Sequence, residues 1–337
     1  MIHAVADDIN LTRCTESRLK QQFPILIKSA ILIVTPGMGC EKGRMANIQD
    51  FSSKMLAIAE IKPDEKVVVC PERNTSSAFV EAASTLGAYL ILHKSMAVEM
   101  VENSIAHSIV DDLDGRDTCS KTWRALDRAL KLGWLVDPAS DVEPVLDVEE
   151  LAHYATRANG TLHLTVPGDL FFFPTPSNLT DGQLWADHTT ASGSTVRHFS
   201  AAYYAGLFGD FNVSVVVCLG TGSESTAAAF LAEGIEVVDL ELAADGSSLL
   251  RGLDRLLSLA RAAPGAVAVH SGNGFDWPEY IGTLTEAYLI SRHGFDEGSA
   301  EAWLRMVSPW MARGGGAAGC DGVVPLHGVC QTKEDSE

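Results

Sequence analysis

Cysteines at paired spacing, a basic excess and any apolar run long enough to cross a bilayer are all missing from this sequence. The seven cysteines (Cys14, Cys40, Cys70, Cys119, Cys218, Cys320 and Cys330) are scattered, odd in number and without CxxC spacing. That pattern argues against a disulfide framework or a zinc site and fits a reducing compartment. Lys and Arg total 25 against 44 Asp and Glu, a formal charge of −19. So negative a surface repels phosphate backbones, which excludes nucleic acid and anionic membranes as natural partners and favours other proteins, basic peptides among them. The most apolar early stretch, Phe23 to Val34, is interrupted by Lys28 and is too short to span a membrane. The first residues carry Asp7 and Asp8 instead of a basic region followed by an apolar one, so no secretory signal is expected and the location predicted is intracellular, cytoplasmic.

What is present is ample core material. Hydrophobic residues make up 46% of the 337 and charged residues 20%, a globular balance in a chain longer than the roughly 250–300 residues at which single cores stop growing. Ile31 to Val34 and Val67 to Cys70 read as buried strands, and between them Ile48, Phe51, Met55 and Ala59 recur on one helix face. Helical patterns follow at 94–105 and 121–133. Asp137 to Pro144, with two prolines and three acidic residues, reads as a linker. Beyond it, Leu162 to Val166 and Leu170 to Phe173 are strand-like around a Val166-Pro167-Gly168 turn, and Val213 to Leu219 is an apolar run of the kind found in a fully covered central strand. Helix, strand and helix follow at 223–233, 235–240 and 248–262, and then the strand Ala266 to Val269. Trp134 and Trp303 sit among apolar residues at helical spacing and are predicted core. Strand, short polar loop and small-residue helix occur in both halves, a weak internal repeat that predicts an α/β chain of two related domains.

The second copy of this device should carry any chemistry, because backbone N–H groups and a helix dipole converge where a buried strand meets a helix. Here the connection runs His270-Ser271-Gly272-Asn273-Gly274-Phe275-Asp276-Trp277-Pro278-Glu279-Tyr280-Ile281, before Gly282-Thr283-Leu284. With Gly282-Thr283-Leu284 at the predicted helix start, Ala302-Trp303-Leu304-Arg305 further on, and Gly87-Ala88-Tyr89, Asp147-Val148-Glu149-Glu150 and Val166-Pro167-Gly168 upstream in the same order, the chain resembles the Cdc-fourteen-type dual-specificity phosphatases of the cysteine phosphatase superfamily over roughly residues 25 to 312. The resemblance implies two tandem dual-specificity-phosphatase-like domains, each a central mixed sheet flanked by helices: a non-catalytic one over 1–140 and a second over 141–312. A Gly-rich and acidic tail follows over 313–337.

The resemblance also implies a catalytic His-Cys-x-x-Gly-x-x-Arg loop, and this loop is degenerate here. Ser271 stands where the family has its nucleophilic cysteine, and a hydroxyl near neutral pH is almost wholly protonated. The phosphate-binding arginine falls on Trp277 counting from His270 and on Tyr280 counting back from Gly282, the loop being counted as three residues longer than the family's; neither residue is a guanidinium. Asp245, before Gly246, is in order for a remnant general acid but reads equally as an Asp-Gly turn. His270 is expected to bond nearby backbone, Gly272-Asn273-Gly274 to turn the chain, and Trp277 and Tyr280 either to plug the emptied pocket or to present an aromatic surface. The expectation is therefore a pseudophosphatase acting as a protein-binding scaffold, with no catalytic residues, metal or cofactor. The alternatives are a residually active protein phosphatase working through Ser271, or a structural block of a cytoskeletal, flagellar or centrosomal assembly.

Overall fold

The computed structural model of the chain describes residues 2–6, 9–12, 16, 30–35, 44–61, 66–71, 73, 75–106, 113–136, 144–179, 182–189, 195–220, 224–240, 246–271, 277–308 and 311. Their contacts divide into two compact units. The described residues of Met1–Ala152 together with Phe295–Pro309 form one, and those of His153–Gly294 with Met311 form the other. The closing segment is thus grouped with the first unit, whereas the sequence order alone had placed it with residues 141–312.

In the first unit, strands β1 (Ile2–Ala6), β2 (Ile9–Thr12), β3 (Ala30–Thr35) and β4 (Lys66–Pro71) form a sheet in the order β1-β2-β4-β3. β2 and β3 lie parallel to β4, and β1 lies antiparallel to β2. Val67, Val68, Val69 and Cys70 are all buried, as expected of a strand covered on both faces. Helix α1 (Arg44–Ile61) buries Met45, Ile48, Phe51 and Met55, but Ala59 is exposed. The apolar face is kept by the large residues of the first three turns and runs out toward the end.

Helix α2 (Ser76–Lys94) starts where the Thr75 hydroxyl accepts a hydrogen bond from the Ala78 N–H (3.2 Å), satisfying one orphan donor of the first turn. It stops at Ser95, held in the left-handed region at φ 50°. That stop explains why the helical pattern predicted over 94–105 resolves into a shorter helix, α3 (Val98–Ala106). Helix α4 (Leu113–Lys131) lies against α2 so closely that a Cβ at Gly87 would stand 2.2 Å from the Trp123 indole nitrogen, whose N–H donates to the Ser84 carbonyl (3.0 Å). The short helix α5 (Val148–Tyr154) is capped by Asp147, whose Oδ1 accepts from the N–H groups of Glu149 and Glu150. The closing helix, Glu297–Val307, packs on α4. There Trp303 meets Trp134 at 5.3 Å between ring centroids, and Trp134 stacks on Phe295 at 5.7 Å. Both tryptophans are buried, as predicted.

In the second unit, β5 (His163–Val166) and β6 (Leu170–Phe172) form a hairpin about Gly168, whose φ of 76° only glycine adopts at little cost. A polar two-stranded hairpin follows, β7 (Trp185–Thr189) with β8 (Thr195–Phe199). In it the Arg197 guanidinium bonds both carboxylate oxygens of Asp187 (2.8 and 2.9 Å) and lies 4.0 Å above the Trp185 ring. Helix α6 (Ala201–Asp210) then supplies Tyr203 and Tyr204, whose hydroxyls donate to the carbonyls of Asn159 (3.0 Å) and Gly160 (2.7 Å). Strand β9 (Val213–Leu219), helix α7 (Glu224–Ala232), strand β10 (Glu236–Leu240), helix α8 (Gly246–Ala262), strand β11 (Ala266–Ser271) and helix α9 (Trp277–His293) complete it. The sheet order is β10-β9-β11-β6-β5, parallel except for β5. Phe173, Tyr204, Phe208 and Phe230 cluster in its core at 4.8 to 6.1 Å between ring centroids. The chain is thus a mixed α/β protein. Among the described residues no helix is long and apolar enough to cross a membrane.

Candidate functional site

All six residues of β11, Ala-Val-Ala-Val-His-Ser, are buried, because the strand pairs with β9 on one side and β6 on the other. A strand covered in this way delivers its last residues to the carboxyl edge of the sheet, where open α/β sheets bind their ligands. Those residues are His270 and Ser271.

The His270 imidazole lies 5.0 Å from the Phe173 ring, and its Nδ1–H donates to the Ser271 carbonyl at 2.9 Å. Burial pushes its pKa down, against the smaller opposing effects of that backbone hydrogen bond and of Asp239, so the ring is neutral near pH 7. The same carbonyl accepts from the Thr175 hydroxyl at 2.5 Å, and the Thr175 and Ser271 hydroxyl oxygens stand 3.1 Å apart. Since the single Thr175 proton goes to the carbonyl, the Ser271 hydroxyl is the donor across that second contact. Its proton is directed at another hydroxyl rather than at a base. A serine so placed is a hydrogen-bonding residue and has no activating partner among the described residues.

One neighbour goes unremarked when the chain is read linearly. Cys218 stands directly opposite His270 in the β9–β11 register. It is buried, and burial together with the Asp239 charge pushes its thiol up to about 11. A protonated thiol is no nucleophile, so this cysteine does not take over the role that Ser271 lacks.

The helix after β11 begins at Trp277, not at Gly282. Five residues, 272–276, therefore separate the strand from the helix. The residues counted as a longer loop instead form the first turn of α9. Pro278 suits that place because N–H groups of a first turn have no intrahelical acceptor, and Glu279 complements the positive end of the dipole. Gly272, Asn273, Gly274, Phe275, Asp276 and Asp245 lie outside the described residues, as do the side chains of Trp277 and Tyr280. No arginine or lysine occurs between Arg261 and Arg292. Arg292 lies in the last turn of α9, about 22 Å along the axis from Trp277.

That far end is held by a cluster of its own. The Asp169 carboxylate stands 3.0 Å from His293 Nε2 and accepts from the Tyr288 hydroxyl (3.3 Å). Burial alone would raise the Asp169 pKa, but the hydrogen bond and charge of His293, with Arg292 and Tyr288, hold it below the usual carboxylate range. Among the described residues no three His, Cys, Asp or Glu side chains stand together as metal ligands.

No protein-family model matches the sequence, and no curated protein sequence does. Among solved structures, the chain is similar to the P. aeruginosa protein TpbA. Against a cysteine-to-serine variant of it in complex with pTyr, identity is 19% over 40% of this chain and 83% of that one, with a TM-score of 0.26. Against TpbA itself the values are 20%, 41%, 84% and 0.27. Tk-PTP in its active form gives 17% identity, 43% of this chain, 84% of that one and a TM-score of 0.28. Each matched stretch spans less than half of this chain.

Proposed function

We propose that the chain is a pseudophosphatase: a tandem of dual-specificity-phosphatase-like domains whose second catalytic loop has lost its chemistry, used as a scaffold that binds other proteins. The observation that carries this reading is Ser271. It ends the central strand where the superfamily places a thiolate, its hydroxyl faces Thr175, and no guanidinium follows before Arg292. Phosphoryl transfer by this superfamily needs an ionised nucleophile and a planar cation on the equatorial oxygens, and this segment offers neither. The neutral, backbone-bound His270 and the protonated Cys218 fit the same reading. The formal charge of −19 supports basic segments of partner proteins as the preferred ligands.

The test is turnover of an aryl phosphate by the full chain, beside calorimetry with phosphate and tungstate. The expected result is no turnover and no heat, while peptides rich in Lys and Arg are retained. Turnover that disappears in Ser271→Ala would overturn the proposal. Oxyanion binding without turnover would turn the scaffold into a reader of phosphorylated residues.

A further inference from the structure

A separate cavity lies wholly within the first unit. Its volume is about 350 Å³, within the size range of small-molecule sites. The floor is apolar and buried: Met45 and Ile48 of α1, with Leu135 and Leu146 of the segments before α5. The rim is exposed and acidic, formed by Asp147 and Glu149, with Gln49 beside them.

Two polar side chains, Ser52 and His93, also line the cavity, and Ser52 is the one the ligand meets in the floor. Ser52 follows Met45 by two helical turns on the same face of α1 and is 2% exposed. Its hydroxyl has no hydrogen-bond partner among the described residues. A buried hydroxyl in that state costs stability, and native proteins rarely tolerate one without compensation. Alanine at the same place would serve packing better. The hydroxyl therefore makes sense as half of a hydrogen bond that a ligand completes.

From these features we infer that the cavity is a binding site for a small amphipathic amine. The apolar body rests on Met45, Ile48, Leu135 and Leu146, one polar atom of the ligand bonds the Ser52 hydroxyl, and the cationic head stays at the Asp147 and Glu149 rim. Anions of the same shape are rejected, because the rim carboxylates and the net charge of −19 both oppose them. The site shares no residue with the His270–Ser271 segment and does not depend on whether that segment is silent.

Tyramine is the probe: a ring for the floor, a hydroxyl for Ser52 and an ammonium for the rim. Its binding to the full chain is followed by saturation-transfer NMR and calorimetry, beside the hydroxyphenylpropionate of matching length. Tyramine should bind and the acid should not. Ser52→Ala should weaken tyramine by about threefold to tenfold, the worth of one hydrogen bond, while raising the melting temperature of the unliganded protein. A hydroxyl with a purely structural role would lower it. Gln49→Trp at the exposed rim should block binding without touching the core. Failure of tyramine to bind, equal binding of the acid, or binding unchanged in both variants would overturn the inference.

Discussion

His163 is buried in β5, and desolvation pushes its pKa from 6.5 to about 3. Between those values the unfolded chain binds a proton that the folded chain refuses. The contribution of this residue to stability is therefore complete above about pH 6.5 and is lost as the pH falls toward 3. Denaturant melts across that window should show stability falling with acid, and His163→Gln should flatten part of the slope. An unchanged slope would mean that the carboxylates carry all of it. Cys218 gives a second expectation at this scale. With its thiol pushed up to about 11, it should resist alkylation in the native chain at about pH 8 and react once unfolded. Mapping the alkylated peptide by mass spectrometry checks this. His270 and Ser271 stand out in the sequence because a motif frames them. Thr175 and Cys218 do not, because they reach the site through contacts with residues far along the chain: Thr175 is 96 residues from Ser271, and Cys218 meets His270 only through strand register.

Secondary-structure elements were legible where apolar residues run together. The runs at β3, β4, β9 and β11 are short apolar blocks rich in Val and Ile or bounded by turn residues, and their shortness favours strands over helices. The β7–β8 hairpin went unread because its strands are mostly exposed and carry Asp, His, Thr and Arg, so no alternation marks them. The start of α9 is hidden in the sequence because Pro278 reads as loop, although a helix tolerates proline in its first turn. That early start has a consequence. Five residues between Ser271 and Trp277 equal the spacing between cysteine and arginine in the phosphatase motif that the sequence resembles. The double variant Ser271→Cys, Trp277→Arg is therefore expected to gain tungstate binding that the parent chain lacks, measured by calorimetry. No gain would mean that the amides of the connection do not converge on an anion. Between α2 and α4, Gly87→Ala should destabilise by about 1–3 kcal/mol, because the new methyl group meets the Trp123 ring. Urea melts should show it.

At the scale of the whole molecule, the mixed α/β character was foreseeable from the alternation of apolar strand runs with helical patterns. The grouping of the closing helix with the first unit was not, because nothing in local periodicity says which core a distant helix joins. Trp303 is buried against Trp134 and Phe295. Trp303→Ala should therefore cost about 3–5 kcal/mol, seen as a lowered denaturation midpoint of the first unit. The closing helix also orders events during synthesis. The first unit is interrupted by the whole of His153–Gly294. A ribosome adding about 5–20 residues per second spends roughly seven to thirty seconds on that insertion. Throughout that interval the nascent first unit is one helix short, with Trp134 lacking its tryptophan neighbour. The core begun early must wait for a helix made much later, and it is the part most in need of a chaperone while it waits.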